Sequence, residues 1–494
     1  MPVTPSFSLS QDDTYVYVTI RVPHIKVSST EIHACGNDFS FYCKPYLLHL
    51  TLPYDVNGDD DERQRATYDA DQDNGTLVAY LPKTVPGQYF PDLDLTTNIL
   101  NHFTIDSKRG TVNSNPIIEV ISSNVNNDHT TTTTSNDADD DKEEEQLIES
   151  TKALKLNDIP LYGFNMSYCN ILRNLREECM DMIEITEPDQ FPSSDRREYR
   201  LMMENSLFDA SRYLGDLFEA DNDPIYVNAM DWESYWNKAE PLANNTTNDN
   251  DNNDDNNNDN DDDGNSFIEH PTVFTKSEQQ MMTSSLRNKE YLIGPGSSEE
   301  GSLLLGLVDI VFAFCYEFRI TLGDLNVVSS FNISRLSATL SWFDYFDRGE
   351  PYHDTMSSIV RSCIRRSITY PYIRSWDYGL KILDDTVHVF RHGKRCILKC
   401  LLKLRDLFEH GDSHYLLNKL YINDYCVWIQ TVSDSSVGDI TTELSDAVEL
   451  FKVDGKNEVG FHLVPLESWA NDKMAVGDEG GDIPQELLKY ELSV

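Results

Sequence analysis

The amino-terminal hundred or so residues alternate with a period of two, a pattern that admits paired strands and little else. PSFSLSQDDTYVYVTIRVP sets Val16, Val18, Ile20 and Val22 on one face and Tyr15, Tyr17, Thr19 and Arg21 on the other. The pattern returns in DFSFYCKP, YLLHLTLP and GTLVAYLPK, with the turn-prone NGDDDE, DADQDNG and KTVPGQ between them. A small antiparallel sandwich is predicted. The stretch holds no nucleophile, metal cluster or phosphate loop, which favours a binding module over an enzyme.

With 494 residues the chain exceeds one ordinary core, so two or three domains are expected. Its formal net charge of -44 argues against direct binding to nucleic acid and for a basic partner or simple solubility. Two tracts carry part of that charge: residues 136–150 contribute -7 and residues 248–263 contribute -8. Both are poor in apolar residues and are predicted to be disordered. The nine cysteines form no C-x-x-C pair and no regular framework, so they are expected to be reduced and mostly buried. MPVTPSFSLS offers neither a basic n-region nor an apolar h-region, and no secretory signal is expected. The apolar run 302–322 is interrupted by Asp309, Glu317 and Arg319. A central buried helix is predicted there, not a membrane span.

The predicted organisation is a sandwich over 1–121, an acidic linker over 122–150, and an all-α domain over 151–494 with an Asn/Asp insertion at 244–265. Helical spacing governs the carboxy-terminal half. Asp354 is expected to cap a helix burying Met356, Ile359, Val360, Cys363 and Ile364, with Arg361 and Arg365 opposite and Pro371 ending it. After Gly393, residues Ile397, Cys400, Leu401, Leu404 and Phe408 form one stripe, with Lys399, Lys403 and Asp406 outside it. Gly411 is expected to stop that helix. Another follows, holding Leu416, Leu417, Leu420, Val427 and Trp428, and a further helix is expected over 334–346.

Catalytic signatures are wanting. His388 and His392 have metal-capable spacing, but Val-Phe-Arg between them supplies no glutamate. IGPGSSEEGS has no following Lys-Ser/Thr and puts two glutamates where a phosphate would sit, and no G-x-S-x-G elbow occurs. No catalytic residue, metal site or cofactor is therefore expected. Charge is more informative: residues 354–430 hold twelve Lys/Arg and eight Asp/Glu, a basic block in an acidic chain. Beside it lie acid-aromatic runs containing Asp344, Asp347 and Glu350, and Asp406, Glu409 and Asp412. These six are the candidate partner-binding residues, acids held on a helical scaffold with aromatics as anchors.

Several segments carry a family resemblance. TPSFSLSQDDTYVYVTIRVP, FSFYCKPYLLHLTLP and LPKTVPGQYFPDLD resemble the amino-terminal domain of the Shq family of box H/ACA ribonucleoprotein assembly factors, itself similar to the CS/p23 sandwich. FDASRYLGDLFE, LVDIVFAFCYEFR, ISRLSATLSWFDYF, RRSITYPYIRSWDYGLK and KCLLKLRDLFEHGDSHYLLNKLYINDYC resemble its Shq-specific helical domain. The resemblance implies a non-enzymatic, monomeric chaperone of the nucleus (nucleoplasm) and cytoplasm. It implies binding to the free dyskerin-type pseudouridine synthase and shielding of that protein's RNA-binding surface before particle assembly, in the service of ribosome biogenesis. It implies no direct nucleic-acid or membrane contact. The alternative is a co-chaperone of the ninety-kilodalton heat-shock protein, acting through the CS-like domain.

Overall fold

The strand pairing follows the alternation. In the computed structural model, which describes residues 4–23, 30–57, 63–69, 75–100, 160–175, 182–193, 195–238, 270–286, 289, 291–349, 355–370, 373–411, 413–476 and 483–488, six strands open the chain. They are β1 (Ser6–Gln11), β2 (Tyr15–Arg21), β3 (Glu31–Cys43), β4 (Tyr46–Val56), β5 (Arg65–Asp69) and β6 (Thr76–Pro82). One antiparallel sheet runs β1-β2-β6-β5 and the other pairs β3 with β4. Val16, Val18, Ile20 and Val22 are all buried, with Phe39, Phe41, Leu48, Leu50, Leu77 and Leu81 in the same core. Each such side chain, fully buried, contributes about 1.5–3 kcal/mol. Tyr15, Tyr17 and Tyr80 meet edge-on or tilted on the outer face. The expected antiparallel sandwich is present. The predicted acidic linker and the Asn/Asp insertion lie outside the described residues.

The remainder is helical. Its principal helices are α1 (Arg196–Leu207), α2 (Ala210–Glu219), α3 (Lys276–Ser284), α4 (Ser298–Ile320), α5 (Val327–Leu336), α6 (Met356–Thr369), α7 (Trp376–Arg391), α8 (Gly393–His410), α9 (Asp434–Glu458) and α10 (Leu463–Val476). The apolar run 302–322 forms α4, buried along nearly its whole length and packed by α5, α6 and α7. Asp309, the fully buried acid near its middle, accepts hydrogen bonds from Ser337 Oγ at 2.5 Å and Thr339 N at 2.9 Å. The charge that argued against a membrane helix thus caps the next helical turn. Gly306 lets Tyr425 approach α4: a Cβ there would meet the Tyr425 hydroxyl at 2.9 Å, which donates to Leu303 O at 3.1 Å. Gly306→Ala is expected to cost about 1–3 kcal/mol by overpacking despite alanine's better helix propensity, read as a lower urea midpoint.

Two local expectations are corrected. The helix over 334–346 is broken: α5 ends at Leu336, Ser337 is extended and caps the turn Ala338–Ser341, and Phe343 takes φ 53°. Arg365 and Lys399 were placed on outer faces but are buried, because each reaches an acid from a distant helix: Glu204 at 2.9 Å and Glu278 at 2.9 Å. The helix expected after Gly411 is present, running from Tyr415 to Trp428 through a π-helical stretch over Asn418–Ile422.

Residues 90–100 join the sandwich to the helical body. Phe90, Leu93, Ile99 and Leu100 fill the sandwich core, whereas Leu95 belongs to the helical core. Thr97 Oγ1 donates to Met282 O on α3 at 2.8 Å. Arg395 on α8 donates to Asp94 at 2.7 Å and Asp92 at 3.2 Å, and Lys394 lies 3.3 Å from Asp92.

Candidate protein-binding surface

Among the described residues, the helical body buries seven of its cations: Arg196, Arg200, Arg319, Arg365, Arg366, Arg374 and Lys399. Glu204 on α1 is fully buried and accepts from Arg200 at 2.8 Å, Arg365 at 2.9 Å and Arg366 at 3.1 Å. Arg366 also reaches Glu184 at 2.8 Å. Arg196 is spent on carbonyls of Leu161, Pro188, Phe191 and Phe343. Burial alone would raise the Glu204 carboxyl, but Arg200, Arg365 and Arg366 overcome it and lower the pKa to about 2. Elsewhere Arg319 donates to Asp385 at 2.8 Å, and Lys399 to Val273 O and Glu278. Of the basic block seen in the sequence, Arg365, Arg366, Arg374 and Lys399 are buried on internal partners, whereas Arg391 and Lys419 are exposed.

Asp344 belongs to that interior. It is buried, and pairs with Arg197 at 3.0 Å and Arg200 at 3.1 Å. Burial would raise its pKa, and the two guanidinium groups bring it below the usual value. It cannot meet a partner while the fold is intact, which corrects its placement on the surface. Asp347 is half-buried and accepts from Gly349 N at 2.7 Å. Asp406 and Glu409 are exposed on the last turn of α8. That end of a helix carries partial negative charge, so acids gain nothing there from the helix itself. Glu350 and Asp412 lie outside the described residues.

A larger acidic face lies on α9. This helix carries seven Asp/Glu and two Lys. Val437, Ile440, Leu444, Val448 and Phe451 point into the core, against α6, α7 and α8. Asp434, Asp439, Asp446, Glu449, Asp454 and Glu458 are exposed. Lys452 is tied to Asp384 and Glu449, and Lys456 to Glu467, each at 2.8 Å. Among these acids stand Leu450 and Val453, 71 and 87 % exposed. Two large apolar side chains ringed by carboxylates are the composition of a docking face with a desolvating centre and a charged rim. Sequence reasoning passed over this segment, whose eight apolar residues in 25 read as one ordinary buried stripe.

The two halves match two family models, "SHQ1-like, CS domain" over residues 4–100 and "SHQ1 protein, Shq1 domain" over residues 265–463. A Protein SHQ1 homolog of Xenopus tropicalis is 34 % identical over 468 residues, covering 95 % of this chain and 69 % of that protein. Protein shq1 of Schizosaccharomyces pombe is 30 % identical over 493 residues, covering 97 % of this chain and 98 % of the relative. The chain belongs to the SHQ1 family. A mouse SHQ1 homolog is similar at 33 % identity over 477 residues, with 95 % of this chain and 75 % of the relative covered. The SHQ1 domain match begins before α3 and takes in α9. The ion pairs of Glu204 with Arg365 and Arg366 tie α1, which precedes that match, to α6 within it.

Proposed function

We propose that this chain is an assembly chaperone of box H/ACA ribonucleoproteins: it binds the free dyskerin-type pseudouridine synthase and covers its RNA-binding surface until the particle is assembled. No covalent step is involved, and the chain acts as a monomer in nucleoplasm and cytoplasm. The observation that carries this reading is the division of charge in the helical body. Arg196, Arg200, Arg319, Arg365, Arg366 and Arg374 turn inward, while α9 presents exposed carboxylates around Leu450 and Val453. A surface of that kind suits a basic protein that otherwise holds a polyanion. The apolar pair supplies affinity and the carboxylates set orientation and encounter rate. Asp406 and Glu409 at the end of α8 add negative charge. Family membership supports the same reading.

Carboxylates on folded elements are spaced more widely than phosphates, so fewer counterions are displaced. The dependence of log affinity on log salt should be shallower for the synthase with this chain than for the synthase with its guide RNA. An equal or steeper slope in a titration across salt would contradict the proposal. RNA in excess should displace this chain from the synthase. A stable ternary complex in gel filtration would end the shielding mechanism.

A further inference from the structure

Helix α1 carries its polarity reversed. Its inward stripe, Arg196, Arg200 and Glu204, is charged and buried. The neighbouring stripe, Tyr199, Met203 and Leu207, is 47, 38 and 48 % exposed. Both step by four residues, so both follow the length of the helix. Burying guanidinium groups where a thioether and an isobutyl group could pack forgoes hydrophobic stabilisation and adds desolvation cost. Such an exchange is understandable if the apolar stripe has another surface to cover.

That stripe adjoins a cavity of about 490 Å³, lined by Met203, Leu207, Ile183, Ile185, Pro188 and Trp342 among others. The volume lies within the roughly 300–1,000 Å³ of binding clefts. Charge selects the occupant. The arginines of α1 are engaged inward, whereas Asp195, Glu198 and Asp209 stand exposed on the helix and at its ends. Asp189 lines the cavity too. One of its oxygens accepts from Tyr162 Oη at 2.7 Å, and the other is buried without a hydrogen-bond donor among the described residues. Of the two arginines at the cavity, Arg335 faces Glu184 at 3.9 Å and Arg173 is exposed. The balance around the stripe is acidic.

We propose that α1 and this cavity form a docking groove for a basic amphipathic helical segment of a partner protein. Its apolar side chains lie along Tyr199, Met203 and Leu207 and enter the cavity, and a Lys or Arg of the segment donates to Asp189. The groove lies on a helix other than α9, and its chemistry stands whether or not the client is the synthase.

The test uses the full chain and a fluorescent Leu/Lys peptide whose leucines fall on one helical face, read by anisotropy. A scrambled peptide of the same composition controls for attraction between Lys and an acidic protein, and a Leu/Glu version controls for charge. The facial Leu/Lys peptide is expected to bind about tenfold or more tightly than the scrambled one. Met203→Lys with Leu207→Lys should bring that ratio close to one, and a charge-reversing change on α9 should leave it unaltered. If circular dichroism shows the double variant unfolded, Tyr199→Gln with Met203→Gln reads the same ratio. Equal binding of the scrambled or Leu/Glu peptide, or a preference that survives these substitutions, overturns the proposal. So does dimerisation of the chain that Leu207→Lys abolishes, which would assign the groove to a second copy.

Discussion

Glu204→Gln is expected to destabilise the helical body by about 3–5 kcal/mol, because it leaves the buried Arg200, Arg365 and Arg366 charges without their shared carboxylate. The shape is conserved, so the loss reports charge and not a cavity. Urea unfolding monitored by tryptophan fluorescence should show the lower midpoint, and a loss under about 1 kcal/mol would mean that the carbonyls around these arginines suffice. Acid should produce a related effect in the native chain. The Glu204 pKa is lowered from 4.5 to about 2 in the fold. A carboxylate with a depressed folded pKa contributes stability that is present above its unfolded pKa and lost as pH falls through the folded one. The contribution, about 3 kcal/mol, should therefore disappear between roughly pH 4.5 and pH 2. Asp344, also lowered, adds in the same direction. Asp309 acts oppositely: burial raises its pKa, so its protonation favours the fold and stability at that position rises as pH falls. Glu204→Gln should flatten the acid limb of a stability profile, and an unchanged limb would remove Glu204 as its source.

The second large effect concerns α9. Asp446→Lys, Glu449→Lys and Asp454→Lys, combined with Leu450→Ala and Val453→Ala, should leave unfolding within about 0.5 kcal/mol per substitution, since all five side chains are exposed. Affinity for a dyskerin-type synthase should fall by about a hundredfold or more, with the charge changes acting mainly on association and the apolar truncations on dissociation. Surface plasmon resonance separates the two rates. Full affinity in the fivefold variant would show that the client meets another face.

The sandwich was readable because one face of each strand is uniformly apolar, so register and burial follow from spacing alone, as Val16, Val18 and Ile20 illustrate. The central helix was readable for the complementary reason: an apolar run broken by Asp309, Glu317 and Arg319 fits a protein interior and not a bilayer. Arg365 and Lys399 were misplaced because spacing records which face a cation occupies but not the acid that another helix brings to it. Glu204 lies 161 residues from Arg365. Asp344 failed in the same way, since Arg197 and Arg200 are equally remote in sequence from its acid-aromatic run. Asp406 and Glu409 were recoverable from the helix ending at Gly411. The exposure of Leu450 and Val453 was not, because an apolar residue at a stripe's edge looks the same in sequence whether covered or bare.

The segment from Phe90 to Leu100 donates side chains alternately to both hydrophobic interiors. The CS-like half is thus no portable cassette. Severed before Phe90 it would forfeit its own filling, and severed after Leu100 it would carry away Leu95 and leave a gap beside Met282 that solvent would enter. Transplanting either half of this chain onto a foreign protein would require redesigning that stitch.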